Sequence, residues 1–271
     1  MRLVKVFIIS GLLASIAGIS SCDKNGDFLL FSVQDDLALG KQVADEIAAN
    51  PDQFPILSRT QYADAYAILD DMLEDILATE DVTYKSEFAW ELHIIDDDQT
   101  LNAFATPGGY LYVYTGLIYF LDHLDDLAGV MGHEVAHSDQ RHSSKQLQRQ
   151  YGISILLSII SGQDAGSLQQ IVGQLSGTLA GLAFSRSAEA EADDFSVRYL
   201  AETKYACNGA AAFFEKLLEN QTQRNPEFLS THPSPDSRVE DINTTATELG
   251  CDTSLNDGDR ADIRRLQSLL P

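Results

Sequence analysis

Two histidines stand four positions apart, with a glutamate beside the first, at His133-Glu134-Val135-Ala136-His137. On a helix, positions i and i+4 share one face, about 5–6 Å apart at Cβ. Two imidazoles so placed can both reach one tetrahedral zinc at Zn–N distances of ~2.0–2.1 Å. Glu134, next to the first of them, faces the open side of such a metal and can take a proton from water there. The plain alternative is a surface helix with two spare histidines. The flanking Leu127-Ala128-Gly129-Val130-Met131 speaks against it, because a buried helix carrying two histidines and a glutamate needs partners for all three. Two protein ligands are too few for a zinc site, so a third is required. Glu189-Ala190-Glu191-Ala192-Asp193 offers candidates. Glu189 and Asp193 share a helical face, and Glu191 points elsewhere. One carboxylate from this segment would leave the fourth position for water, and Asp193 could accept a ligand histidine's spare N–H. Spacing alone leaves open that this is a solvated acidic face. His93, His123 and His142 read most simply as surface or core residues.

These side chains need a scaffold, and the chain predicts a mostly helical α+β one. Gln34 to Ala49 and Thr60 to Ala78 have amphipathic helical spacing, the first stopped by Asn50-Pro51. Phe88 to Ile95 alternates like a half-buried strand. Asn102 to Ala105 and Tyr110 to Tyr114 read as two more strands around the turn chemistry of Pro107-Gly108-Gly109, giving a small antiparallel sheet. Asp96-Asp97-Asp98 is a solvated turn, since it lacks the spacing and terminal glutamate of a calcium loop. From Leu124 onward the pattern is helical. Ile153 to Ile160 is apolar but too short to span a bilayer, and reads as a buried helix turn.

With those motifs in view, the chain resembles the M48 family of zinc metallopeptidases, a gluzincin group, over about residues 34–245. In that family the HExxH helix is followed by an ExxxD segment. Glu189 to Asp193 matches it in register, and the resemblance makes Glu189 the third zinc ligand and Asp193 the carboxylate behind a ligand histidine. Asn102 to Gly109 and Thr115-Gly116-Leu117 are similar to the strand and turn ahead of the active-site helix. Ser230-Thr231-His232-Pro233 with Arg238 is similar to a late family segment. The resemblance implies a zincin-like domain, one Zn2+ per chain, and protein or peptide substrates that add to the strand near Asn102–Ala105. Glu134 would act as general base and acid, and His232 and Arg238 would steady the oxyanion or gate the metal.

The N-terminus reads as an address. Arg2 and Lys5 precede the apolar run Val6 to Ile19, a signal-peptide core. Ile19-Ser20-Ser21-Cys22 resembles a bacterial lipobox, with cleavage after residue 21 and lipid on Cys22. An ordinary secretory signal is the alternative. The expected layout is a signal peptide over 1–21, a lipidated tether over 22–33 and one metallopeptidase domain over 34–271. Of the three cysteines, Cys207 and Cys251 then remain as a pair. In an oxidising compartment they can join as a disulfide, or else stay two buried thiols. The formal charge of −23 excludes a phosphate-backbone reader. Together these features predict a zinc endopeptidase of the bacterial cell envelope, lipid-anchored and serving protein quality control. Two other classes stand beside it: an envelope chaperone or assembly factor whose zinc site is plugged or rarely cleaves, and an anchored binding protein whose motif is structural.

Overall fold

The computed structural model describes residues 29–175, 183–219, 228–233, 237–255 and 259–271. The signal peptide, Cys22 and most of the tether lie outside the described residues. Helix α1 (Val33–Ala48) opens on a capping box. The Ser32 hydroxyl accepts from the Asp35 amide at 3.1 Å, and the Asp35 carboxylate accepts from the Ser32 amide at 2.8 Å. Phe31, just ahead of the cap, is already buried. Helix α2 (Ala63–Ala78) follows, burying Leu69, Met72, Leu73 and Ile76 along one stripe.

Three strands come next: β1 (Glu91–Ile95), β2 (Ala103–Thr106) and β3 (Tyr110–Tyr114). Strand β1 starts later than its alternation suggests. Trp90 sits at φ 47°, which breaks the extended run, and Phe88 instead stacks on Tyr84 with ring centroids 4.9 Å apart. The hairpin β2–β3 is antiparallel across its Pro-Gly-Gly turn, but β1 pairs with β3 in parallel. The sheet is therefore mixed rather than antiparallel throughout. The cause is the order β1-β3-β2: β3 inserts between the two earlier strands and runs in the direction of β1.

The remaining elements are helical: α3 (Thr115–Phe120), α4 (Leu124–Asp139), α5 (His142–Tyr151), α6 (Ile153–Ile160), α7 (Ala165–Leu175), α8 (Arg186–Leu200), α9 (Gly209–Glu219), the short turn α10 (Phe228–Thr231), α11 (Arg238–Leu249) and α12 (Asp259–Ser268). Helix α6 is amphipathic, with Leu156 and Ile159 buried and Leu157 exposed. No helix among the described residues is long and apolar enough to cross a membrane.

The sheet is buried on both faces. Leu92, Ile94, Leu111 and Val113 meet the core around α2, α4, α8 and α9. Phe104, Tyr110, Tyr112 and Tyr114 face a second core with α1, α6 and α7. Helix α4 runs through the middle, and all 16 of its residues are buried. It comes so close to α9 that a Cβ on Gly129 would strike the Gly209–Ala210 backbone, so only glycine fits there. Ser196 of α8 donates to the Gly129 carbonyl at 2.9 Å. At the far end of α4, the Asp139 carboxylate accepts from the amides of Thr83 and Tyr84 and from the Tyr199 hydroxyl. Cys207, just before α9, is joined to Cys251, just after α11, by a disulfide with Cα atoms 6.3 Å apart.

Candidate metal centre

Because α4 is continuous and wholly buried, His133 and His137 project one turn apart into the interior, and their Nε2 atoms come within 3.0 Å. Helix α8 crosses them. Its start is fixed by Ser185, whose hydroxyl accepts from the Ala188 amide at 3.2 Å. This sets Glu189 in the first turn, with Oε2 3.5 Å from His133 Nε2 and Oε1 3.5 Å from His137 Nε2. Just beyond α10, His232 adds its Nδ1, 3.2 Å from Glu189 Oε1 and 3.3 Å from His133 Nε2. Phe228 holds that ring by stacking at 4.3 Å, and Phe184 stacks on His137 at 3.9 Å.

The four donor atoms of His133, His137, Glu189 and His232 all lie within 4.8 Å of one another and are buried. With bonds of ~2.0–2.1 Å, the edge of a zinc tetrahedron is about 3.3 Å. The pair separations quoted above straddle that edge. His133 donates its Nδ1–H to Asp193 Oδ1 at 2.9 Å, so that once its Nε2 proton is released the lone pair there is turned to the other donors. Three nitrogens and a carboxylate oxygen are a zinc donor set.

Around this inner group lies a shell of fixed charge. Arg238 opens α11 and is almost fully buried. Its Nε lies 2.5 Å from Asp193 Oδ2, and its Nη2 lies 2.8 Å from Asp193 Oδ1 and 2.9 Å from Glu189 Oε2. Its guanidinium also covers the Phe214 ring at 3.9 Å. Burial alone would raise Asp193. Arg238 and His133 outweigh it and hold that carboxyl below its usual range. Glu189 is held well below its usual range in the same way, by His232, His133 and His137 against its own burial. Burial and Arg238 press His133 downward, yet the hydrogen bonds to Asp193 and Glu189 prevail and its pKa rises to about 9. His137 is driven well down by burial and by its neighbour His133.

Glu134 differs from the other carboxylates here. Burial raises its pKa, and neither carboxylate oxygen has a hydrogen-bond partner among the described residues. The nearest cationic candidate, His232 Nε2, stands 3.5 Å from Oε1. Glu134 is thus a buried, uncommitted acid–base group beside a cation site. A cleft lined by Phe104, Ala105, Leu147, Phe184 and His232 among others reaches the other side of the His232 ring. Its lining includes Phe104 to Thr106 of β2, one of the two edge strands of the sheet.

The structure thus brings His133, Glu134, His137, Glu189, Asp193, His232 and Arg238 into one buried group. Sequence reasoning missed one member. His142, read as an ordinary surface or core residue, lies under His137 with the two Nδ1 atoms 3.1 Å apart. Its Nε2 is 3.3 Å from Glu191 Oε2. The only hint in the sequence is its position, five residues beyond His137. That spacing puts it off the face shared by His133 and His137, and only the turn at Arg141 brings it back.

Comparisons with known proteins give the family. The model of peptidase family M48 matches residues 63–246. The mitochondrial metalloendopeptidase OMA1 of Schizosaccharomyces pombe is 34% identical over 167 residues, covering 59% of this chain and 48% of that protein. The beta-barrel assembly-enhancing protease of Escherichia coli K12 is 32% identical over 169 residues, covering 58% of this chain and 34% of the relative. Human mitochondrial metalloendopeptidase OMA1 is 27% identical over 222 residues, covering 70% of this chain and 41% of its own length. The chain spans between a third and a half of the length of these curated relatives. It belongs to peptidase family M48.

Proposed function

We propose that this M48 chain is a zinc-dependent endopeptidase that cleaves proteins of the bacterial cell envelope and serves their quality control, held at a membrane by lipid on Cys22. The observation that carries the reading is Glu134: a buried carboxylate without a hydrogen-bond partner among the described residues, on the same helix as the two imidazoles that converge with Glu189. His133, His137 and Glu189 would hold the zinc. Bound there, zinc supplies Lewis-acid chemistry, acidifying a water molecule and polarising the scissile carbonyl. Glu134 takes the proton from the attacking water and returns it to the leaving amine, and its raised pKa suits both transfers. Asp193 keeps His133 in the tautomer whose Nε2 faces the metal, and Arg238 offsets the two carboxylates around it. An extended peptide laid along β2 would place one side chain in the apolar cleft. The lipobox-like stretch and the name of the bacterial relative support the envelope as the setting.

The test is digestion of casein by the purified chain, before and after chelation and zinc restoration. Glu134→Gln should keep stoichiometric zinc and lose cleavage by about 10²–10⁴-fold. Absence of zinc by elemental analysis, or full activity of Glu134→Gln, overturns the reading. If the motif were purely structural, removing zinc would unfold the chain and Glu134→Gln would change nothing.

A second reading is favoured by one observation, the presence of His232 Nδ1 inside the donor cluster. As a fourth ligand it would plug the position that water needs, giving an assembly factor or chaperone that rarely cleaves. Under that reading Glu134→Gln still supports the cellular role, and His232→Ala raises casein cleavage.

A further inference from the structure

His142 and Glu191 are buried or half-buried polar groups that the proposed chemistry does not use. We propose that they form a relay, Glu191 to His142 to His137, that positions His137 for metal by fixing which of its nitrogens carries the proton. The proposal rests on the zinc-binding reading above and adds two positioning residues to it.

A neutral imidazole has one N–H and one lone pair. The contact of 3.1 Å between His137 Nδ1 and His142 Nδ1 is a hydrogen bond only if one ring donates and the other accepts. Two assignments exist. In the first, His137 Nδ1–H donates to His142, and His137 Nε2 turns its lone pair toward Glu189 and His133. In the second, His142 Nδ1–H donates to His137, and a proton sits on His137 Nε2, where it blocks a metal. Glu191 decides between them. Its carboxylate only accepts hydrogen bonds, and Oε2 is 3.3 Å from His142 Nε2. His142 Nε2 must therefore carry the hydrogen, and in the neutral ring Nδ1 is left as the acceptor. The first assignment follows, with the His137 lone pair facing the centre.

The backbone is built to hold this arrangement. Between α4 and α5 the chain reverses through Arg141 in the left-handed region, at φ 59°. Arg141 Nε is 2.5 Å from the buried Asp36 carboxylate, and its Nη2 donates to the Phe31 carbonyl at 2.7 Å. That anchored turn swings the first residue of α5 under the last turns of α4. On α8, alternate carboxylates then take separate tasks: Glu189 faces His137 within the donor cluster, Glu191 faces His142 and Asp193 faces His133.

Zinc affinity tests the relay without recourse to catalysis. Wild-type chain, Glu191→Gln, His142→Leu and His142→Asn would be titrated with zinc against a fluorescent chelator. A glutamine at 191 can donate or accept, so it no longer sets the His142 tautomer. Leucine at 142 removes the acceptor, whereas asparagine keeps an oxygen near the Nδ1 position. Zinc affinity should fall about 10–100-fold in Glu191→Gln and His142→Leu and be largely restored in His142→Asn. Nitrogen-15 shifts of His137 in the zinc-free protein should show a protonated Nδ1 in wild type and mixed tautomers in Glu191→Gln. A merely structural contact would leave those shifts unmoved. Should His142→Leu not fold, Glu191→Gln decides alone, since Glu191 is partly exposed. Wild-type affinity and an unchanged His137 tautomer in Glu191→Gln overturn the relay. Failure of the wild-type chain to bind zinc overturns instead the reading on which it rests.

Discussion

Replacing Arg238 by methionine should expose how much of the fold depends on one buried cation. The side chain is only 2% exposed and serves Glu189 and Asp193 at once, with contacts of 2.5 to 2.9 Å. Methionine fills a similar space, so the main loss is charge rather than volume. Two buried carboxylates are left facing His133 without their compensating guanidinium. Breaking a buried, hydrogen-bonded ion pair from one side costs about 3–5 kcal/mol. For a chain of this size that corresponds to a fall in Tm of roughly 6–20 °C. The assay is urea unfolding followed by circular dichroism, with chelator present so that bound metal does not mask the effect. The slope of the transition should not change, because the surface exposed on unfolding is the same. Zinc would supply part of the missing positive charge, so the loss should shrink when the metal is restored. Adding Asp193→Asn removes one stranded carboxylate and should regain part of the stability, a coupling expected of residues in direct contact. An Arg238→Met protein within about 1 kcal/mol of wild type in chelator, or a double variant no more stable than the single one, would refute the account.

His93 stacks on Tyr112 with ring centroids 5.1 Å apart, and burial, helped by Arg59, lowers its pKa from 6.5 to about 4. Its folded pKa lies below its unfolded one, so the stability it contributes is complete above pH 6.5 and declines as pH falls toward 4. Wild type should lose up to about 3 kcal/mol relative to His93→Phe between pH 7 and 4, read from urea midpoints; parallel profiles would exclude this. The Cys207–Cys251 bond closes a loop of 44 residues. Chain entropy sets its contribution at about 4 kcal/mol at most, so Cys207→Ser with Cys251→Ser should lower the melting temperature by several degrees. An unchanged melting curve would show that the bond constrains nothing. Zinc must displace the proton that His133 holds with a pKa of about 9. Metal affinity should therefore weaken as pH falls from 9 to 6, and a calorimetric titration in buffers of different ionisation heat should record proton release.

The parts of the centre that were legible in the sequence are those set by local geometry. His133 and His137 are four residues apart on one helix, so their convergence follows from helical pitch. Glu189 lies on a different helix. Its spacing to Asp193 gave a shared face but no direction, and only the family resemblance separated it from a solvated acidic stripe. The position of His232 against the metal donors depends on a turn that packs Phe228 under its ring, which no periodicity encodes. The contact of His142 with His137 is not legible, because a lone histidine beyond the end of a helix gives no signal until the turn at Arg141 is known. Strand alternation located β1 but not its start, since the left-handed Trp90 breaks the ladder without a glycine to mark it. Parallel pairing of β1 and β3 was hidden for a similar reason: the turn between β2 and β3 specifies its own hairpin and says nothing about which neighbour an earlier strand will choose.

The contact between Gly129 and Gly209 has a mechanical consequence. The helix bearing both imidazoles rests directly on the peptide backbone at the start of its neighbour, with no side chain between to cushion a shift. Two residues before that resting point is Cys207, clamped to Cys251. The sulfur bridge therefore braces the support on which the imidazole-bearing helix sits. A chain whose two cysteines stay reduced would carry the same ligands on an unbraced foundation.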